Sequence, residues 1–88
     1  MEQYSIETVV LNQLTQKFTY QPKEVYNSKA QAYEEFGKKV ANILEEGYFE
    51  KNRITDTDDY LERYYTNGYF TIIYIVEPYS AGSDPEEN

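Results

Sequence analysis

The chain has 88 residues, no cysteine, no histidine and a formal net charge of −8. This length predicts a single domain. The absence of cysteine excludes disulfides and thiolate metal sites, and the excess of acidic residues disfavours direct contact with nucleic acid or anionic membranes. We therefore expect no direct nucleic-acid binding and no membrane association. Because small secreted domains are often held by disulfides, we also expect a cytoplasmic location.

Residues 4–20 fit two local structures. Even-numbered positions alternate in the manner of a strand, and the β-branched residues 8–10 support that interpretation. A helix also fits, because apolar residues recur four positions apart. We prefer two strands with a turn near Asn12-Gln13 or Thr15–Lys17, followed by a linker that begins at Pro22.

Residues 28–47 give the clearest element. Ser28 and Gln31 form a capping-box pattern, and Gly47 is a typical helix terminator. Apolar residues recur between them at helical spacing: Ala32, Tyr33, Phe36, Val40, Ile43 and Leu44. Two Glu–Lys pairs have the favoured i,i+4 order: Glu34 with Lys38, and Glu35 with Lys39. The pattern predicts a helix from about residue 29 to residue 46.

Residues 69–77 form the clearest strand. Both sets of alternate positions are largely apolar, which is typical of a strand in the interior of a sheet. We expect Pro78 to end this strand, because proline cannot donate to the ladder.

The segment before this strand is ambiguous. Asn67-Gly68 is typical of a two-residue hairpin turn, which makes residues 60–66 the partner strand and pairs Tyr65 with Phe70. Helical spacing with Thr57 as the cap also fits. We favour the hairpin, because the downstream strand needs a neighbour.

These elements predict an α+β domain over residues 1–79. It would be a small antiparallel sheet with one main helix packed on it, in the order β-β-α-β-β. Residues 80–88 are small, polar and acidic, and we expect them to form a mobile tail.

Residue types suited to catalysis are scarce. Without histidine and cysteine the chain lacks the commonest general base, the thiol nucleophile and most transition-metal ligands. The sequence DTDD at 56–59 resembles the start of a calcium loop, but Leu61 and Asn67 stand where glycine and glutamate are required. We therefore expect no enzyme, no cofactor and no metal site.

The negative charge is concentrated in the second half of the chain. Residues 1–44 contain five acidic and five basic residues, whereas residues 45–88 contain eleven acidic and three basic ones. Residues 45–62 alone have a net charge of −5, with aromatic residues interleaved. Carboxylates on a rigid scaffold can take the place of phosphates in a groove lined by Lys and Arg, and aromatic residues supply interface anchors. The alternative interpretation is a solvated helix end followed by an acidic loop.

In size, acidity, tyrosine content and lack of catalytic residues, the chain resembles small inhibitors encoded by phages and mobile elements, such as anti-CRISPR proteins and other DNA mimics. The resemblance is one of general character over the whole chain and rests on no motif. It implies a cytoplasmic inhibitor that occludes a basic, nucleic-acid-binding surface of a partner protein. The partner-binding residues we expect are Glu50, Asp56, Asp58, Asp59, Tyr60, Glu62, Tyr64, Tyr65 and Tyr69.

A structural or assembly module is a second interpretation, and an accessory protein of undefined role is a third. A sheet edge could pair with a second copy, or a tyrosine-rich face could form a homodimer. Salt distinguishes the first two interpretations, since surface charge pairs weaken with salt and an apolar homodimer does not.

Overall fold

The computed structural model describes residues 2–57 and 59–80, and for residues 53–56 it describes the backbone alone. Six strands and one helix follow in chain order: β1 (Gln3–Asn12), β2 (Lys17–Tyr20), β3 (Glu24–Tyr26), α1 (Lys29–Glu45), β4 (Phe49–Asp56), β5 (Leu61–Thr66) and β6 (Phe70–Tyr79). The predicted α+β class, with an antiparallel sheet and one main helix, is confirmed. The predicted order fits only roughly, because β3 and β4 were not anticipated. Of the predicted tail, all but Ser80 lies outside the described residues.

The strands form one antiparallel sheet in the order β2-β1-β6-β5-β4. The long strand β1 pairs with β6 along one side. On its other side it pairs first with β3 and then with β2. As predicted, β6 is an interior strand, flanked by β1 and β5.

The first hairpin turns at residues 13–16, as the strand interpretation of the N-terminal region predicts. The Asn12 carboxamide oxygen accepts hydrogen bonds from the backbone N–H groups of Leu14 (3.0 Å) and Thr15 (3.1 Å), which is the usual way asparagine closes a turn. The predicted linker after Pro22 is instead interrupted by β3, which adds a short second segment to the sheet edge begun by β2.

Helix α1 begins and ends close to the predicted positions. The Ser28 hydroxyl accepts a hydrogen bond from the backbone N–H of Gln31 (3.1 Å), and the Gln31 side chain accepts one from the N–H of Asn27 (3.3 Å). Gly47, at φ +98°, reverses the chain after the last turn, a conformation that favours glycine.

Of the two predicted Glu–Lys pairs on α1, one forms. Lys38 lies 3.7 Å from Glu34 and 3.1 Å from Glu35. Lys39 does not pair with Glu35 but reaches Glu24 on β3 at 2.6 Å. This ion pair connects the helix to the sheet edge, which a purely helical analysis could not foresee.

The β5–β6 hairpin is confirmed, but its predicted register is wrong. Tyr65 pairs with Ile72 rather than with Phe70, because the turn is longer than two residues. The Asn67 side chain accepts hydrogen bonds from the N–H groups of Tyr69 (2.9 Å) and Phe70 (2.8 Å), and Gly68 adopts φ +95°.

Strand β6 continues through Pro78 to Tyr79, so the prediction that Pro78 ends it is wrong. The partner strand β5 stops opposite Val76. Residues 77–79 therefore pair with β1 alone, and a proline is tolerated where a strand has a neighbour on only one side.

The core lies between α1 and one face of the sheet, which we call the helix face. Phe36 packs edge-on against Tyr74, with ring centroids 5.8 Å apart, and Tyr74 contacts Tyr65 at 6.1 Å. The remaining buried members of this cluster are Tyr4, Ile6, Ala32, Ile43, Leu61 and Val76. Tyrosines thus supply a large part of the core, as expected for a chain poor in aliphatic residues.

Candidate docking face of the sheet

The opposite face of the sheet, which we call the open face, has no described helix packed on it. Strand register determines its members, because side chains alternate between the two faces and paired residues share a face. It comprises Gln3, Ser5, Glu7, Val9, Leu11, Phe18, Tyr20, Val25, Phe49, Asn52, Glu62, Tyr64, Thr66, Thr71, Ile73, Ile75, Glu77 and Tyr79. None of these paired residues is a lysine or an arginine, and the charged ones among them are Glu7, Glu62 and Glu77.

Three carboxylates lie on neighbouring strands of the open face. Glu7 on β1 and Glu62 on β5 both pair with Ile75 of β6, one from each side. Their strands are two spacings apart, which places the two backbones about 10 Å from each other. Glu77 lies two residues beyond Ile75 on the same face. The three residues form an acidic region across the middle of the sheet.

Glu62 is held in place by two tyrosines. The Tyr60 hydroxyl donates to one carboxylate oxygen at 2.6 Å, and the Tyr64 hydroxyl donates to the other at 2.8 Å. The same hydrogen bonds are the main cause that raises the pKa of both phenols, since ionised phenols would face a carboxylate. Both tyrosines therefore remain donors at neutral pH, and the carboxylate of Glu62 is fixed in orientation.

The structure thus brings together three of the predicted partner-binding residues, Tyr60, Glu62 and Tyr64. It separates them from Tyr65, which is 3% exposed and belongs to the core. The assignment of Tyr65 to a partner surface is a misassignment, because adjacent residues of a strand point to opposite faces.

Asp59 and Glu50 also lie apart from this group. Asp59 accepts a hydrogen bond from the Tyr4 hydroxyl at 3.1 Å, so it is directed toward the edge of the core. Burial and this carboxylate raise the pKa of Tyr4 to about 12. Glu50 is exposed on β4 and pairs with Tyr65, which places it on the helix face by register.

Tyr69 lies at the other end of the sheet, in the turn before β6, with 75% of its surface exposed. Its carbonyl accepts a hydrogen bond from the N–H of Gln13 at 2.8 Å, so the two hairpin turns are adjacent. A cavity of about 310 Å³ lies between them, lined by Gln13, Leu14, Gly68 and Tyr69. No titratable carboxylate lines it, which separates Tyr69 from the acidic region.

The acidic segment 45–62 does not form one surface. Its described parts are distributed over the helix end, β4 and the start of β5, on different faces of the sheet. Asp56 pairs with Leu61 through the backbone, but its side chain lies outside the described part of the chain, as does the whole of Asp58.

Among the open-face residues that sequence reasoning missed are two carboxylates, Glu7 and Glu77, and two exposed aromatics, Phe18 and Tyr20. Glu7 and Glu77 are isolated acids in otherwise apolar strands, and they share a face with Glu62 only through the register of three strands. Phe18 and Tyr20 occupy alternate positions of the short strand β2, with rings 6.2 Å apart. Their alternation was visible in the sequence, but not which face it would occupy.

Within residues 2–57 and 59–80, no three potential metal ligands are grouped to hold an ion. No helix in the described part of the chain is long and apolar enough to cross a membrane. Comparisons with protein-family models, curated proteins and solved structures give no match to this chain. The geometry of the open face is therefore the basis for functional inference.

Proposed function

We propose that the protein is a non-enzymatic binding protein that docks its open face on a basic surface of a partner protein. The partner surface would be one that binds nucleic acid, so that docking occludes it, in the manner of a DNA-mimic inhibitor. Within this class of inhibitor, we propose an anti-CRISPR type of protein encoded by a phage. Its place of action would be the cytoplasm, that of the host cell if the protein is encoded by a phage.

One observation carries this proposal: the open face combines Glu7, Glu62 and Glu77 with no lysine or arginine among its paired residues. Carboxylates gathered on one face attract a basic surface and repel nucleic acid itself. Glu62 in particular is oriented in advance by Tyr60 and Tyr64. Orienting a charge before binding reduces the ordering cost of association.

The test begins with capture of partners from a lysate of the source cell or its host, followed by elution in a salt gradient. The binding of a captured protein to labelled duplex DNA is then measured by fluorescence anisotropy with and without this protein. We expect the wild-type chain to displace the DNA. A variant with Glu7→Gln, Glu62→Gln and Glu77→Gln should displace it poorly.

A matched control removes the same number of charges elsewhere. Glu34, Glu45 and Glu46 are exposed on or next to α1, so their replacement by glutamine changes the net charge equally without touching the open face. If both triple variants lost the ability to displace DNA equally, net charge alone would account for binding. DNA displacement that survives the open-face variant would contradict the proposal.

An assembly module remains a second candidate, because aromatic side chains are exposed on the strands at both edges of the sheet. Phe18 and Tyr20 on β2 are 52% and 67% exposed, and Phe49 on β4 is 58% exposed. Sedimentation at low and high salt separates the candidates. A dimer that persists at high salt would favour self-association through these aromatics.

A further inference from the structure

The open face is divided along the strand direction into an apolar half and an acidic half. Two rows of paired residues lie nearest the hairpin turns. One contains Phe18, Leu11, Thr71, Thr66 and Phe49, and the next contains Tyr20, Val9, Ile73, Tyr64 and Asn52. The rings of Phe18, Tyr20 and Phe49 are exposed, whereas the residues between them, Val9, Thr66, Thr71 and Ile73, are buried by their neighbours. We call these two rows the apolar half.

The other end of the same face carries the charges, and we call it the acidic half. Glu7, Ile75 and Glu62 form the first of its rows, and Val25, Ser5 and Glu77 form the second. Successive rows on one face are about 7 Å apart, since each spans two residues of a strand. The change from apolar to acidic therefore occurs within a single row spacing.

The sheet edges are poorly suited to a partner that adds a strand. β2 and β3 contain four and three residues, which is too short for a long added ladder. β4 is longer, but its pairing with β5 shifts register twice, between Glu50 and Asn52 and between Arg53 and Thr55. Short and bulged edge strands resist pairing with another chain. The face is thus the better docking surface.

We propose that the open face binds an amphipathic helix of the partner protein whose polar side carries lysine and arginine; this inference rests on the proposed function. The apolar side of such a helix would lie on the apolar half, and its basic side would lie on the acidic half. A helix about 10–12 Å in diameter bridges adjacent rows about 7 Å apart. An amphipathic helix presents apolar and charged stripes side by side, which matches this division.

A second copy of this chain fits the face less well. If the two-fold axis runs along the strands, acidic half meets acidic half. If the axis runs across them, acidic half meets apolar half. In both arrangements Glu7, Glu62 and Glu77 meet no lysine or arginine from the paired open-face residues of the other copy. Charge complementarity therefore favours a basic partner.

The test uses two synthetic peptides of about 18 residues, or five helical turns. Both contain equal numbers of leucine and lysine. In one the two residue types are segregated on opposite sides of a helix, and in the other they are scrambled. Binding of each labelled peptide is measured by fluorescence anisotropy at low and high salt, at concentrations where the peptides are monomeric by sedimentation.

We expect the segregated peptide to bind about tenfold tighter than the scrambled one, because only it can use both halves of the face. The variant Phe18→Ser/Tyr20→Ser should lose that preference and keep its salt dependence. The variant Glu7→Gln/Glu77→Gln should weaken both peptides and flatten the salt dependence. Leu44→Ser, which removes an exposed apolar side chain of α1, is the matched control and should change neither. Circular dichroism verifies that each variant is folded.

Equal binding of the two peptides would overturn the helix inference. If the Glu7→Gln/Glu77→Gln variant still flattened the salt dependence in that case, the proposed acidic docking function would stand. If this variant bound both peptides as the wild type does, the proposed function itself would fail. A salt-resistant dimer of the free protein that excludes the peptides would overturn the inference in favour of a second copy.

Discussion

Tyr64 and Tyr65 are adjacent in β5, yet the structure gives them different roles. Tyr65 packs between the sheet and α1 and is 3% exposed. Tyr64 is half-buried on the open face, and its hydroxyl donates a hydrogen bond to the Glu62 carboxylate. Replacing each in turn by alanine therefore tests the facing of the strand. We expect Tyr65→Ala to be much the more destabilising of the two.

The expected magnitude follows from burial. A buried tyrosine removes about 150–250 Å² from water, which at about 25 cal/mol per Å² corresponds to about 4–6 kcal/mol. Partial burial in the unfolded chain reduces this to about 3–5 kcal/mol, as found for other aromatic-to-alanine changes. For Tyr64→Ala we expect about 1–2 kcal/mol, mostly from the hydrogen bond to the carboxylate.

The assay is urea unfolding of both variants and the wild type, followed by circular dichroism. An 88-residue domain has a total unfolding free energy of only about 4–13 kcal/mol, so Tyr65→Ala should remove a large part of it. Should that variant be too unstable to measure, Tyr65→Leu retains most of the apolar volume and provides a smaller loss. Equal destabilisation by Tyr64→Ala and Tyr65→Ala, or a larger effect at Tyr64, would refute the assigned facing of β5.

Three further predictions concern caps, turns and pH. Ser28→Ala should lower the unfolding free energy by about 1 kcal/mol through loss of the helix cap, and Ser28→Asp should not. Gly68→Ala should destabilise by about 1 kcal/mol because φ is +95°, whereas Gly37→Ala in the open interior of α1 should stabilise by about that amount. Burial raises the pKa of Tyr4 and Tyr74 to about 12, so their stabilising contribution is complete below pH 10 and is lost as the pH rises toward 12. Tyrosinate absorbance and circular dichroism between these pH values should show ionisation coupled to unfolding; ionisation of all tyrosines near pH 10 in a folded protein would contradict this.

Local signals in the sequence were sufficient for α1, whereas both hairpin segments also fitted a helix, and the second hairpin was preferred because the downstream strand needed a neighbour. Ser28 and Gly47 mark the helix ends through their own backbone chemistry, which depends little on the rest of the fold. β4 was missed because its sequence, FEKNRITD, has no regular alternation, and its pairing with β5 is interrupted by two register shifts. β3 contains only three residues, and it depends on pairing with β1.

The error in the β5–β6 register did not change which residues of these strands face the core. Asn67 and Gly68 were correctly recognised as a turn, but the Asn67 side chain closes a longer loop than the two-residue form. The pairing partner of Tyr65 moves from Phe70 to Ile72, a shift of two residues. Because side chains alternate with a period of two, such a shift leaves every residue on its predicted face.

The candidate site was harder to predict, because it is assembled across strands. Glu62 and Tyr64 are two residues apart on β5 and Tyr60 immediately precedes this strand, so strand periodicity and proximity in the chain bring the three together. Glu7 and Glu77 join them only through the pairing of β1, β6 and β5, which no local pattern encodes. The acidic segment 45–62 was a misleading guide, since proximity in sequence is not proximity on a face.

The incomplete covering of the sheet connects the stability of this small domain to the function we propose. A helix of 17 residues is about 25 Å long, enough to cover one face of the sheet but not both. On the other face Val9 and Ile73 are buried by neighbouring side chains, but Phe18, Tyr20 and Phe49 at its edges remain exposed to water while the protein is free. Glu7, Glu62 and Glu77 help the free protein to tolerate this exposure, because charged residues on an exposed apolar face oppose non-specific association. In the proposed function the same carboxylates would favour a basic partner and disfavour a second copy, so a single set of charges would both protect the free face and select what binds to it.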